Sequence, residues 1–210
     1  MFSLEVSHRR GIIPLMLDLR IQQHFIDSAD LQYQAAEPLA KPVESGVQAL
    51  LACVTSGGSV LVAGWGGTAP SAQYFASLFV GGFERERPEL AALALSGDVA
   101  VLALAPEDQA LARQVRALGH TGDVLMVLTT AGEEPVLQQA VHAAHERDMT
   151  VIALTGKGGG ALAKLLRETD VHVCVPHDRV ARIREVQQLV LHCLCDGVDA
   201  QLLGEQELSE

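Results

Sequence analysis

From residue 59 onward the chain keeps returning to one pattern, a short run of apolar or β-branched residues followed by a stretch whose apolar positions recur at helical spacing. The runs fall at 59–63, 90–95, 99–104, 123–128, 150–154 and 171–175. Continuous apolar runs, unlike alternating ones, belong to strands buried on both faces, and helices between them imply parallel pairing. The expected fold is therefore α/β, a three-layer sandwich with a mostly parallel, flavodoxin-like doubly wound sheet. Before the first run, helical spacing extends over 17–39, Pro42 can open a second helix through Leu51, and Gly57-Gly58 stops it. Two amino-terminal helices are thus expected. A long carboxyl-terminal helix spans 179–203, with Ile183, Val186, Val190, Leu191 and Leu194 on its apolar face. No internal repeat or low-complexity linker interrupts the chain.

At 210 residues and 49% hydrophobic content, there is enough material for one full core. Residues 1–15 differ from the rest, because Gly11 and Pro14 break the pattern that Met16 begins. They read as an extension, either an interaction arm or a misassigned start, ahead of a single domain over 16–210. A formal net charge of −11 argues against direct nucleic-acid binding, which rests on clustered Lys and Arg. Cys53, Cys174, Cys193 and Cys195 lack metal-ligand spacing and read as reduced, mostly buried thiols. No apolar run is long enough to cross a membrane, and charges interrupt the amino terminus where a signal peptide needs its core, so the expected compartment is the cytoplasm.

In a parallel sheet, ligands sit beyond the carboxyl ends of the strands, where helix amino termini offer free N–H groups to anions. Two loops fit that description. The first, 64–71, follows the first run, and its glycines allow positive φ and close approach to a ligand while Thr68 offers a hydroxyl. The second is Leu128-Thr129-Thr130-Ala131-Gly132-Glu133-Glu134. Gly66, Gly67, Thr68, Thr129 and Thr130 are the candidate substrate-binding residues, and a sugar phosphate is the ligand class.

Longer motifs add to this: Gly64-Trp65-Gly66-Gly67-Thr68 with Ala72-Gln73-Tyr74-Phe75-Ala76, Phe83-Glu84-Arg85-Glu86-Arg87-Pro88, and Arg113-Gln114-Val115-Arg116-Ala117-Leu118-Gly119 with Gly122-Asp123-Val124-Leu125. So do Arg147-Asp148-Met149-Thr150-Val151-Ile152-Ala153-Leu154-Thr155-Gly156, Val175-Pro176-His177 and Ala181-Arg182-Ile183. From about Met16 onward the chain resembles the SIS (sugar isomerase) domain family, in particular the phosphoheptose isomerases and their relative, the DnaA initiator-associating protein. That resemblance implies a homotetramer with sites between subunits, and zinc-dependent interconversion of sedoheptulose 7-phosphate and a heptose phosphate.

Carried over position by position, the resemblance also implies losses. The Asn after the first loop glycine is Trp65; the zinc-binding His is Tyr74; the catalytic, zinc-binding Glu is Leu78; the sugar-contacting Asn-Asp pair is Pro106-Glu107; and the Gln ligand is Arg184. The terminal His, a ligand and acid/base, survives as His192. Leucine offers no donor, a guanidinium does not bind a cation, and proton transfer between carbons needs a positioned base. Glu134 stands where a serine hydroxyl would meet phosphate, and its carboxylate is expected to cap the helix instead.

Several singled-out residues have plain alternatives. His192 reads equally as a core histidine or a vestigial ligand, and Trp65 as a filler of vacated space or a sugar platform. His142 and His145 read as solvent-exposed; Glu84-Arg85-Glu86-Arg87 and the charges at Asp178, Arg179, Arg182, Arg184 and Glu185 read as surface or subunit contacts. The expectation is a phosphoheptose-isomerase-like protein without metal or catalytic residues. It would bind a carbohydrate phosphate, or act like the initiator-associating protein, which also shares Cys193-Leu194-Cys195-Asp196, as a homotetrameric scaffold for the initiator DnaA. The alternative is an active, zinc-dependent sedoheptulose 7-phosphate isomerase.

Overall fold

A computed structural model describes residues 12–95 and 106–204. The elements are α1 (Ile12–Thr55), β1 (Val60–Gly64), α2 (Ala69–Gly81), β2 (Ala92–Ala94), α3 (Ala110–Leu118), β3 (Val124–Leu128), α4 (Pro135–Glu146), β4 (Thr150–Gly156), α5 (Gly160–Ala163), β5 (Val171–Val175) and α6 (Val180–Leu203). The strands form a parallel sheet in the order β2-β1-β3-β4-β5. The run at 99–104, expected as a strand, lies outside the described residues, as does most of the 1–15 extension.

Both faces of the sheet are covered, as the unbroken apolar runs require. Val124, Met126 and Leu128 of β3 join one core with α1, α2 and α6, built around Phe75, Phe79, Ile183, Leu191 and Leu194. Leu125 and Val127 point the other way, into a core with α3 and α4. Each fully buried side chain of this size contributes about 1.5–3 kcal/mol.

The two expected amino-terminal helices are one. α1 runs for 44 residues with Pro38 and Pro42 inside it. A proline within a helix loses a hydrogen bond and clashes with the preceding turn, which made Pro42 read as a helix start. What overrides this is packing: Leu31, Ala35 and Leu39 before the second proline, and Val47 and Leu50 after it, bury one continuous stripe in the same core. The Ser45 hydroxyl also returns to the Lys41 carbonyl at 3.1 Å.

Three surface expectations are corrected. Arg87, within the charged run 84–87, is buried and paired with Asp199 of α6 at 2.6 Å, both side chains 1% exposed. It also donates to the carbonyls of Leu78 and Phe79, closing the end of α2. His145 is buried and bonded to Asp170 at 2.8 Å, whereas His142 is exposed as expected. Arg182 is buried and donates to the His24 carbonyl, fastening α6 to α1. Of the four free thiols, Cys53 and Cys195 are buried, Cys174 is half-buried and Cys193 exposed.

Candidate functional site

The chain passes from β1 outward to β2, then back across β1 to β3, so the direction of winding reverses between β1 and β3. Ligand crevices form beyond the carboxyl ends of the two strands flanking such a reversal. Here those ends are Gly64 and Leu128, which are register partners. The two expected loops therefore lie side by side.

The first loop turns at Gly66, whose φ of 55° suits glycine. A side chain on Gly64 would run into the backbone of Thr68, and one on Gly67 into the Arg184 guanidinium. Thr68 was expected to offer its hydroxyl to a ligand. Instead Thr68 is buried, donates to the Leu128 carbonyl at 2.7 Å and accepts from the Trp65 N–H at 3.1 Å, tying the two loops together.

The second loop is closed in a similar way. The Thr129 hydroxyl donates to Glu134 Oε2 at 2.7 Å and accepts from the N–H groups of Ala131 and Gly132. Glu134 thus holds Thr129 and makes no side-chain cap on α4, contrary to the expected self-cap. Gln187 of α6 donates to the Thr129 carbonyl at 2.7 Å, and Thr130 is also buried. Glu133 accepts from the Ala161 N–H at 3.2 Å. All five candidate residues share one edge, but the Thr68 and Thr129 hydroxyls are committed internally. What faces outward is glycine backbone and Arg184, for which no carboxylate partner occurs among the described residues.

Along the seam of α2 and α6, Tyr74 Oη lies 3.0 Å from His192 Nε2, and Gln188 Nε2 lies 3.2 Å from the same atom. An amide nitrogen only donates, so His192 Nε2 is an acceptor here. Phe83 stacks on the imidazole at 5.2 Å. His192 is half-buried in this polar seam, not in the apolar core. Leu78, one turn after Tyr74, packs against the core. A zinc ion needs about four N, O or S donors. Among the described residues no group of three or more His, Cys, Asp or Glu could hold a metal ion. The donors of a single chain do not fit the zinc that the family implies.

Opposite that seam, a cavity of about 410 Å³ opens between the starts of α3 and α4, lined by Trp65, Asp108, Glu134, Pro135 and Val136. Trp65 both packs against the α3–α4 core and walls this cavity, joining its two alternatives. Asp108 was missed in the sequence. Its only signal is an acidic side chain just ahead of a helix, at 107–109 after Pro106.

Comparison with known proteins fits this geometry. The family model described as "SIS domain" matches residues 23–156. A phosphoheptose isomerase from Methylibium petroleiphilum is 58% identical over 198 residues, covering 92% of this chain and 99% of that protein. The solved phosphoheptose isomerase of Neisseria gonorrhoeae is 41% identical with a TM-score of 0.81, covering 87% of this chain and 99% of its own. That of Francisella tularensis is 40% identical with a TM-score of 0.83, covering 88% and 98%. A matching model over most of the chain, relatives alike along nearly their whole length and the shared sheet together show that this protein belongs to the SIS domain family.

Proposed function

We propose that this chain is a phosphoheptose-isomerase-type protein that takes a phosphorylated sugar, of the sedoheptulose 7-phosphate class, at the loops after β1 and β3. The observation that carries this is the paired loops with the Arg184 guanidinium laid on the Gly67 turn, a cation beside the start of a helical turn. The first N–H groups of such a turn have no partner within it. The names of the relatives favour isomerisation over a site that has lost its reaction. Moving a proton between adjacent carbons requires a positioned base, and among the described residues the carboxylates lining the cavity beside Trp65 are Asp108 and Glu134.

The second reading, binding without turnover, is favoured by one specific observation: Tyr74 occupies His192 while Leu78 and Arg184 offer no metal donor. In that form the protein would serve as a scaffold. A homotetramer would present repeated surfaces, raising avidity for an oligomerising partner of the DnaA kind. The experiment uses purified full chain with sedoheptulose 7-phosphate, with added zinc and with chelator, following both product and heat of binding. Turnover establishes the first reading, and saturable binding without turnover the second. No binding at all would defeat both.

A further inference from the structure

α1 is longer than the layer it packs in. It meets α6 where the His24 carbonyl accepts from Arg182 and Ser28 Oγ donates to Glu185 Oε2 at 2.7 Å. The two helices run in the same direction, since Gly46 lies against Leu194 and Gly197 against Val47. α6 starts at Val180, so the turns of α1 ahead of His24 run on past it. Every residue from Met16 to Ile26 is exposed. That stretch is far from polar: Phe25 is 74% exposed and Met16 66%, and Leu17, Leu19, Ile21 and Ile26 are exposed as well. From Leu31 to Leu39 only every fourth residue, Leu31, Ala35 and Leu39, is buried, and Tyr33 between them is 88% exposed.

The exposed apolar positions are ordered. Leu19, Ile26, Tyr33 and Ala40 recur every seven residues, and Ala29, Ala36 and Val43 repeat three positions later, the spacing of a helix seam that packs against another helix. At about 100° per residue this seam lies well round from the buried ridge of Leu31, Ala35 and Leu39. Beside its second half is an apolar groove of about 340 Å³, walled by Ala36, Ala40 and Val43 of α1 and Val186, Leu189 and Val190 of α6. The exposed turns 16–26 and the groove-lining stretch 32–43 are each about 15–17 Å long at 1.5 Å per residue. They lie end to end on one helix, the first overhanging and the second recessed.

We propose that the overhanging turns of α1 dock in the α1–α6 groove of a second copy of this chain, the two α1 helices lying antiparallel about a two-fold axis near Ala29. Each copy then gives an overhang and receives one, which is an isologous contact. Ile26 meets Tyr33 and Leu19 meets Ala40 across the pair, while the small side chain of Ala29 lets the backbones approach at the axis. Area favours this occupant. The large apolar residues between Met16 and Tyr33 expose roughly 900 Å², and a stable interface takes about 800 Å² from each partner. Charge disfavours a lipid surface, because 16–30 carries Asp18, Asp27 and Asp30 against Arg20, whereas helices that lie on membranes are rich in Lys and Arg. The pairing holds for either reading of the site.

The test measures the mass of the full-length protein by sedimentation velocity at micromolar concentration, then repeats it for Ile26→Glu, Tyr33→Glu and Ala36→Glu. All three positions are exposed in the single chain, so its core is untouched. Wild type should sediment as an even-numbered assembly and each variant at half that mass, with unchanged circular dichroism, because the contact would bury an unpaired carboxylate. Register is read with a short thiol-to-thiol cross-linker in a Cys193→Ser background, which removes the exposed native thiol. Ala29→Cys should give linked dimers, and Ala36→Cys, seven residues from the axis on each chain, should not. A monomeric wild type would overturn the proposal, whether residues 1–11 or a different protein then cover the stripe. So would an assembly that all three charge variants leave intact, or cross-linking through Ala36→Cys but not through Ala29→Cys.

Discussion

The loops after β1 and β3 are the same backbone device finished with opposite charges. Each follows a fully buried strand, contains a left-handed glycine and folds a buried threonine hydroxyl inward. The first is then covered by a guanidinium from α6, the second by carboxylates from its own sequence, Glu133 and Glu134. The comparison teaches that a glycine turn at a switch point specifies where an anion could sit, while the side chain laid on it decides whether one is welcome. It also separates two kinds of closeness. Gly67 is covered by the tip of a flexible side chain, and Gly132 by a carbonyl of a second rigid turn.

The sharpest way to break the comparison is Gly132→Ala, at φ 73° and against the Gly159 carbonyl. It should cost about 3 kcal/mol in denaturant unfolding, since neither backbone can yield. A loss no greater than that of Gly67→Ala would show that the two loops are equally soft. Next in size is charge. Arg184→Gln should weaken binding of inorganic phosphate or a sugar phosphate about tenfold in calorimetry, because one charge-assisted contact is lost. Glu134→Gln should act in the opposite direction, strengthening the same binding about threefold by removing a negative charge near the start of α4. If both variants changed affinity with the same sign, opposite closure would be the wrong description. Smallest of all, Gly67→Ala should cost only about 0.5 kcal/mol, as the Arg184 tip swings aside. Combined with Arg184→Ala it should cost nothing further, which a double-mutant cycle would read as coupling between the two positions.

Much of this was legible in the sequence, because it depends on neighbours along the chain. The runs at 123–128 and 150–154 became central strands, both loops fell at the expected edge, and the long last helix is present. What the sequence hid depends on partners far away. Whether Pro42 starts a helix or is carried through one is decided by α6 and the sheet, not by the residues beside it. Arg87 looked like a surface charge because its partner, Asp199, lies 112 positions on. In the site, residue types at 74, 78, 184 and 192 could be read directly, but not that Tyr74 would bond His192 or that Arg184 would lie across Gly67. Those contacts come from how α2 and α6 cross.

The first helix of this protein packs against its last, and the Arg87–Asp199 pair joins the middle of the chain to the same final segment. A ribosome adds about 5–20 residues per second, so α1 waits about 7–30 seconds before α6 is complete. Throughout that interval the stripe from Leu31 to Leu50 lacks its α6 partner and has only the sheet and α2 to pack against. The layer that closes this face of the domain is built from α1 and α6 together, so it cannot be completed until α6 has been made. Until then, part of that face of the sheet and the α1 stripe remain exposed.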